Sequence, residues 1–126
     1  MTKFVSPGVH LLIDFWDAKH LQDAILIERA MRDAATACGA TVLEIKLHSF
    51  GEAAGITGVA ILAESHISIH TWPEINYIAL DVFVCGTCNP HLALTVLRSV
   101  FEPQRERVQE FQRGNPIPHD QHDTRP

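Results

Sequence analysis

The sequence holds no apolar run near the roughly 18 residues that a membrane-spanning helix requires. It has no basic-then-apolar leader either. Neither a membrane protein nor a secreted one is expected. It also lacks a Lys/Arg cluster: ten basic residues stand against fifteen acidic ones, giving a formal charge of −5. That balance argues against nucleic acid as a partner. Cysteine is scarce and odd in number, with only Cys38, Cys85 and Cys88. Three thiols make no disulfide framework and suit a reducing, cytoplasmic compartment, where they do chemistry rather than stapling. No internal repeat is evident. What remains is 126 residues, 46% hydrophobic and 20% charged, which fits one globular domain with its own core and excludes a disordered chain.

Residues 8–15 (GVHLLIDF) are short, apolar and branched, and read as a strand. Residues 17–20 read as a helix entry. Leu21, Ala24, Ile27, Met31, Ala34, Ala35 and Cys38 recur at helical spacing, and Gly39 is the usual residue past a helix end. Residues 41–50 alternate as a half-buried strand, with Leu43, Ile45 and Leu47 on one side and Val42, Glu44, Lys46 and His48 on the other. Residues 51–58, with three glycines, read as a loop. Residues 59–63 read as a buried strand, and Ile67 and Ile69 mark another that Pro73 ends. Residues 77–85 alternate again. Asn89-Pro90 is a cap and first-turn pair, followed by a helical stripe of Leu92, Ala93, Val96, Leu97 and Val100 that Pro103 stops. Residues 105–113 read as an edge strand with Val108 inward, and residues 114–126, with three prolines, as a flexible tail. Two helices cover one face of such a sheet, so the fold expected over residues 1–113 is a two-layer α/β sandwich, mainly antiparallel. The other face, carrying Tyr77, Asp81 and Cys85, then needs a ligand or a second chain to cover it.

Reactive residues concentrate in Glu64-Ser65-His66-Ile67-Ser68-Ile69-His70-Thr71-Trp72-Pro73-Glu74. A polar run between two apolar strands is costly unless exposed or used. Its ordinary reading is a strand with Ile67 and Ile69 inward and His66, Ser68 and His70 outward. A second signal is Cys85-Gly86-Thr87-Cys88, with His91 three residues on. This is a candidate redox pair or a partial metal site, but zinc wants four ligands and there is no second CxxC. Its ordinary reading is a free thiol at a strand end.

ESHISIHTWPE resembles the processing and active-site signature of the small prokaryotic S-adenosylmethionine decarboxylases, which depend on a covalent pyruvoyl group. GITGVAILAESH, NYIALDVFVCG and GVHLLIDFWDAKHLQD are similar to the family's flanking segments, so the resemblance covers residues 8–112.

The resemblance implies a proenzyme that cuts itself between Glu64 and Ser65 into residues 1–64 and 65–126. Ser65 becomes the pyruvoyl group, which forms a Schiff base with the substrate amine and acts as electron sink. His70 matches the histidine that accepts a proton during processing, a task suited to a side chain that titrates near neutrality. Cys85 matches the proton donor in decarboxylation. Phe50 matches an aromatic that stacks on adenine, and Glu74 an acid that holds the ribose hydroxyls. Thr57 stands where the family often has Ser, at a position that supports processing; it keeps the hydroxyl but adds a methyl and a stiffer rotamer. Cys88 has no role in this pattern, and no metal is implied. Ser65 and His70 differ by five positions and face opposite sides of one regular strand, so a turn is expected at or before Ser65.

The family habit is a homodimer with substrate contacts near its boundary. The implied product is the aminopropyl donor of spermidine and polyamine synthesis. Two alternatives stay open at this point: the same pyruvoyl chemistry on another amino acid such as arginine or ornithine, and a CxxC redox or metal protein or an unprocessed binding protein.

Overall fold

Period-two alternation produces six strands, and two amphipathic stretches produce two helices. The computed structural model describes residues 8–119. In chain order these are β1 (Gly8–Trp16), α1 (Ala24–Cys38), β2 (Val42–Ser49), β3 (Ile56–Leu62), β4 (Ser65–Trp72), β5 (Tyr77–Cys85), α2 (Pro90–Phe101) and β6 (Arg105–Arg113). The strands form one sheet in the order β2-β3-β4-β5-β1-β6, and every neighbouring pair is antiparallel. β2, β3, β4 and β5 follow one another as a meander. β1 then pairs with β5, and β6 closes the far edge.

Alternation sorts each strand into two faces. Leu11, Ile13 and Phe15 of β1, Ile67, Ile69 and Thr71 of β4, and Ile78, Leu80, Val82 and Val84 of β5 are buried on one side. Ile27, Met31 and Ala34 of α1 and Leu94, Leu97 and Phe101 of α2 complete the same core cluster. Both helices therefore lie on one face, giving the expected two-layer α/β sandwich. The other face is open.

Four local expectations change. α1 begins at Ala24 rather than Leu21, because the Asp23 carboxylate accepts the Leu26 N–H at 3.1 Å as a cap, and Asp17 and His20 sit at φ 57° and 68°, outside any right-handed helix. Leu21 is still buried, from the turn that precedes the helix. The buried stripe of α2 is Pro90, Ala93, Leu94, Leu97 and Phe101, with Leu92 exposed. In β2 a register shift between Val42 and Glu44 turns Leu43 outward, 64% exposed, and brings Val42 to the core with Ile45 and Leu47; a bulge resets strand parity in this way. Ile56, Thr57 and Gly58, read as loop, are the first residues of β3. Residues 114–118 carry no helix or strand and are exposed. His119 is exposed as well, and residues 120–126 of the expected tail, with His122, lie outside the described residues.

Candidate active site

β4 carries reactive groups at both ends and in its middle. At its start, Leu62 pairs with Ser65, so Ala63 and Glu64 alone form the β3–β4 turn. Glu64 takes φ 64°, a left-handed conformation that costs a non-glycine residue about 1–2 kcal/mol. The turn expected before Ser65 is there, and the strained residue is the one that contributes the carbonyl to the 64–65 peptide bond. The Ser65 hydroxyl, half-buried, donates to the Ala63 carbonyl at 3.2 Å.

β5 ends beside this turn. His66 pairs with Phe83. Continuing that antiparallel register by two residues sets Cys85 opposite Glu64, and the Glu64 charge acts on the Cys85 thiol. Hydrogen bonding by Thr87, whose Oγ1 lies 3.2 Å from Cys85 Sγ, is the main cause that holds this thiol below its ordinary pKa.

At the far end of β4, His70 pairs with Thr57 of β3, and Thr57 Oγ1 is 3.2 Å from His70 Nδ1. The two line a cleft of about 350 Å³ with Phe50, Gly55, Trp72 and Glu74. Phe50 is 63% exposed and meets His48 edge-on at 4.6 Å. Gly55 closes the cleft floor, where a Cβ would strike the Thr71 carbonyl. Thr71 itself is buried, donating to the Leu21 carbonyl at 2.7 Å and accepting the Ile56 N–H at 2.9 Å. Glu74 is exposed on the short 3-10 turn Pro73–Ile75.

Between the two ends, Asp81 of β5 anchors a polar network on the open face. Its carboxylate is bonded by His10 Nε2 at 2.5 Å, by His66 Nε2 at 2.9 Å and by the Ser68 hydroxyl. Burial alone would raise this carboxyl's pKa, but the bonds from Ser68, His10 and His66 together hold it below the usual value. Among the described residues, His10, His66 and Asp81 are the one group of three whose possible ligand atoms lie within 4.8 Å of one another.

Comparison with known proteins fixes the family. The sequence profile described as S-adenosylmethionine decarboxylase matches residues 9–114. The chain is similar to the S-adenosylmethionine decarboxylase proenzyme of Thermomicrobium roseum, 43% identical over 110 residues that cover 86% of this chain and 95% of that protein. It is also similar to the proenzyme of Methanococcus aeolicus, 42% identical over 113 residues, covering 87% and 96%. The chain belongs to the S-adenosylmethionine decarboxylase family. The crystal structure of the adenosylmethionine decarboxylase from Aquifex aeolicus superposes with a TM-score of 0.80 at 28% identity, covering 91% of this chain and 97% of that one.

For a member of this family the geometry divides the residues singled out by sequence into two groups. Glu64, Ser65 and Cys85 gather at one end of β4; Thr57, His70, Phe50 and Glu74 gather at the other. His70 stands five residues along the strand from Ser65, about 16 Å at the rise of a β-strand, so the turn at 63–64 does not bring the two together within one chain. His91 Nε2 lies 2.7 Å from Glu110, and among the described residues it forms no three-ligand group with the thiol pair. The convergence of His10 on Asp81 was not read from sequence. The two are 71 positions apart, and only the pairing of β1 with β5, which local patterning does not encode, sets Leu12 directly across from Asp81 with His10 one step along the same face.

Proposed function

We propose that this chain is a self-processing proenzyme that decarboxylates S-adenosylmethionine with a pyruvoyl group made from Ser65. The single observation that carries this reading is the Glu64–Ser65 bond itself, held in a two-residue turn with Glu64 left-handed and Cys85 across the register. The Ser65 hydroxyl lies within reach of the backbone on the N-terminal side of that bond, so a side-chain rotation aims it at the Glu64 carbonyl. Its attack converts the peptide to an ester and moves the acyl group from nitrogen to oxygen. Loss of the Ser65 α-proton to a base then expels the Glu64 carboxylate, and hydrolysis of the enamine left behind releases ammonia and leaves a ketone. The products are residues 1–64 and a 65–126 fragment blocked at its start. In the finished enzyme the pyruvoyl group would supply an electron sink for the pair that departing carbon dioxide leaves on the substrate α-carbon. Cys85, at the same strand end, delivers a proton to the substrate α-carbon.

The half-site at the other end suits a nucleoside sulfonium substrate. An exposed aromatic, Phe50, offers a face for a purine, and the Glu74 carboxylate accepts from vicinal hydroxyls. A cleft of this size falls in the range of small-ligand sites. Arginine and ornithine bring no purine to the Phe50 ring and no vicinal hydroxyls to Glu74.

The separation of Ser65 from His70 supports a homodimer in which each site is shared. A two-fold axis through the open face near Ser68, midway along β4, sets the Thr57–His70 end of one copy over the Ser65–Cys85 end of the other. Such isologous contacts are the commonest closed assembly. They also cover Leu12, Ile61, Trp72 and Phe111, each 40–45% exposed in one chain. A base for the Ser65 α-proton is then His70 of the second copy. The three free cysteines fit a cytoplasmic enzyme, and no described helix is long and apolar enough to cross a membrane. The decarboxylated product is an aminopropyl donor for spermidine synthesis.

Intact-mass measurement of fresh protein tests the scheme. Two fragments are expected, the second refractory to amino-terminal sequencing, with carbon dioxide released from S-adenosylmethionine and not from arginine or ornithine. Ser65→Ala gives one uncut, inactive chain. Turnover by an unbroken Ser65→Ala polypeptide overturns the reading.

A further inference from the structure

Cys88 takes no part in the chemistry above, yet the fold presses it against the residue that does. Residues 85–88 form a tight turn in which the Cys88 N–H donates to the Cys85 carbonyl at 2.9 Å. That turn folds the two side chains to the same side, with Sγ atoms 3.7 Å apart. A disulfide needs about 2.05 Å, so the two sulfurs stand in contact, one turn of chain apart, just outside bonding distance. Both thiols are partly exposed. The third thiol, Cys38, is buried and occupied, donating to the Ala35 carbonyl at 3.3 Å. His91 is bound to Glu110, and among the described residues no third ligand atom groups with the two thiols.

We propose that Cys85 and Cys88 form a covalent modification site for small-molecule disulfides, which convert the pair to an 85–88 disulfide and so arrest decarboxylation reversibly. The arrest rests on the reading of Cys85 as the proton donor. The two thiols are unequal in a way that sets the order of events. Thr87 holds the Cys85 thiol below its ordinary pKa, while burial and the neighbouring Cys85 push Cys88 up. The Cys85 thiolate therefore attacks first. It breaks the reagent's S–S bond, takes one half as a mixed disulfide and releases the other as a thiol. Cys88 then gives up its proton, attacks the Cys85 sulfur and expels the second half. The protein loses two electrons and two protons, and the reagent gains both as two thiols. A sulfur bonded to sulfur carries no proton to deliver.

Self-cleavage makes the test direct, because Cys38 stays in the 1–64 fragment while Cys85 and Cys88 share the 65–126 fragment. Processed enzyme is incubated with oxidised glutathione, and each fragment is weighed without reduction. The expected result is a 65–126 fragment lighter by two hydrogens, with turnover down by about a hundredfold, the scale of a lost general acid, and restored by dithiothreitol. Cys88→Ser retains the untreated turnover but accumulates a glutathione adduct on Cys85 instead of the internal bond. A wild-type fragment that keeps both thiols, or bears only glutathione adducts, overturns the site. An 85–88 disulfide in an enzyme of undiminished turnover overturns the proposal through its premise, the role of Cys85.

Discussion

Thr57 shows how much one methyl group matters when a hydroxyl is retained. Its Oγ1 keeps the contact with His70 Nδ1 that a serine would make, and β-branching fixes the rotamer that makes it. Self-cleavage is therefore expected to proceed. Thr57→Val preserves shape and removes the hydrogen bond, worth about 1 kcal/mol, so processing should slow about fivefold in a gel time course. A Thr57→Val chain that cuts at the wild-type rate would remove Thr57 from the site. Asp81 offers a test by pH. Its folded pKa lies below the ordinary 3.8, so the ionised carboxylate favours the folded state. The stability it contributes is full above that ordinary value and drains away as pH falls through the lower folded one. Asp81→Asn should cost about 1–3 kcal/mol and flatten the acid limb of a plot of Tm against pH. Parallel acid limbs for the two proteins would show that the network does not hold the charge.

Among the elements, the β3–β4 hairpin is the one built against local preference. Two-residue hairpins favour turns with glycine or asparagine where φ is positive, yet Glu64 occupies such a position. In the proposed cleavage, breaking the 64–65 bond would free Glu64 to leave that conformation, so strain is expected to help the reaction forward. Glu64→Gly relaxes the precursor, and its cleavage should slow by about two- to fivefold while its Tm rises; unchanged kinetics would assign the turn a purely structural role. The hairpin also illustrates what a sequence discloses. All six strands and both helices were legible, because alternation and helical spacing are local signals. A turn before Ser65 was expected so that Ser65 and His70 could meet; the turn is there, but both residues lie on β4, so it does not join them within one chain. The β2 bulge was not legible: the sequence around Leu43 alternates smoothly, and only pairing with β3 reveals the extra residue. The start of α1 was misplaced because Leu21 is buried like a helical residue but sits in a turn. The candidate residues Glu64, Ser65, His70, Thr57, Cys85, Phe50 and Glu74 were singled out through the family resemblance. Their division between two ends of β4 was not legible, because it depends on which strand follows the turn without a bend.

At the scale of the whole molecule, that division yields the sharpest prediction. If each site takes Ser65 and Cys85 from one copy and Thr57 and His70 from the other, defects at opposite ends complement. Ser65→Ala homodimers have no attacking hydroxyl, and His70→Ala homodimers stall at the ester and yield to hydroxylamine. In a mixed dimer of the two variants, one site pairs an intact Ser65 with an intact His70, and the other has neither. Co-expressed with distinguishable tags, the mixed dimer should cleave its His70→Ala chain and leave its Ser65→Ala chain whole. It should also recover up to about half of the wild-type turnover, since one of two sites is restored. The open face makes the pairing feasible, because the half-exposed Leu12, Ile61, Trp72 and Phe111 surround the satisfied Asp81 network, an apolar surface with no charge left bare at its centre. Cleavage of the His70→Ala chain in its own homodimer would remove His70 from processing. A mixed dimer that forms but stays uncut would mean that each chain builds its site alone, against the 16 Å or so that β4 imposes.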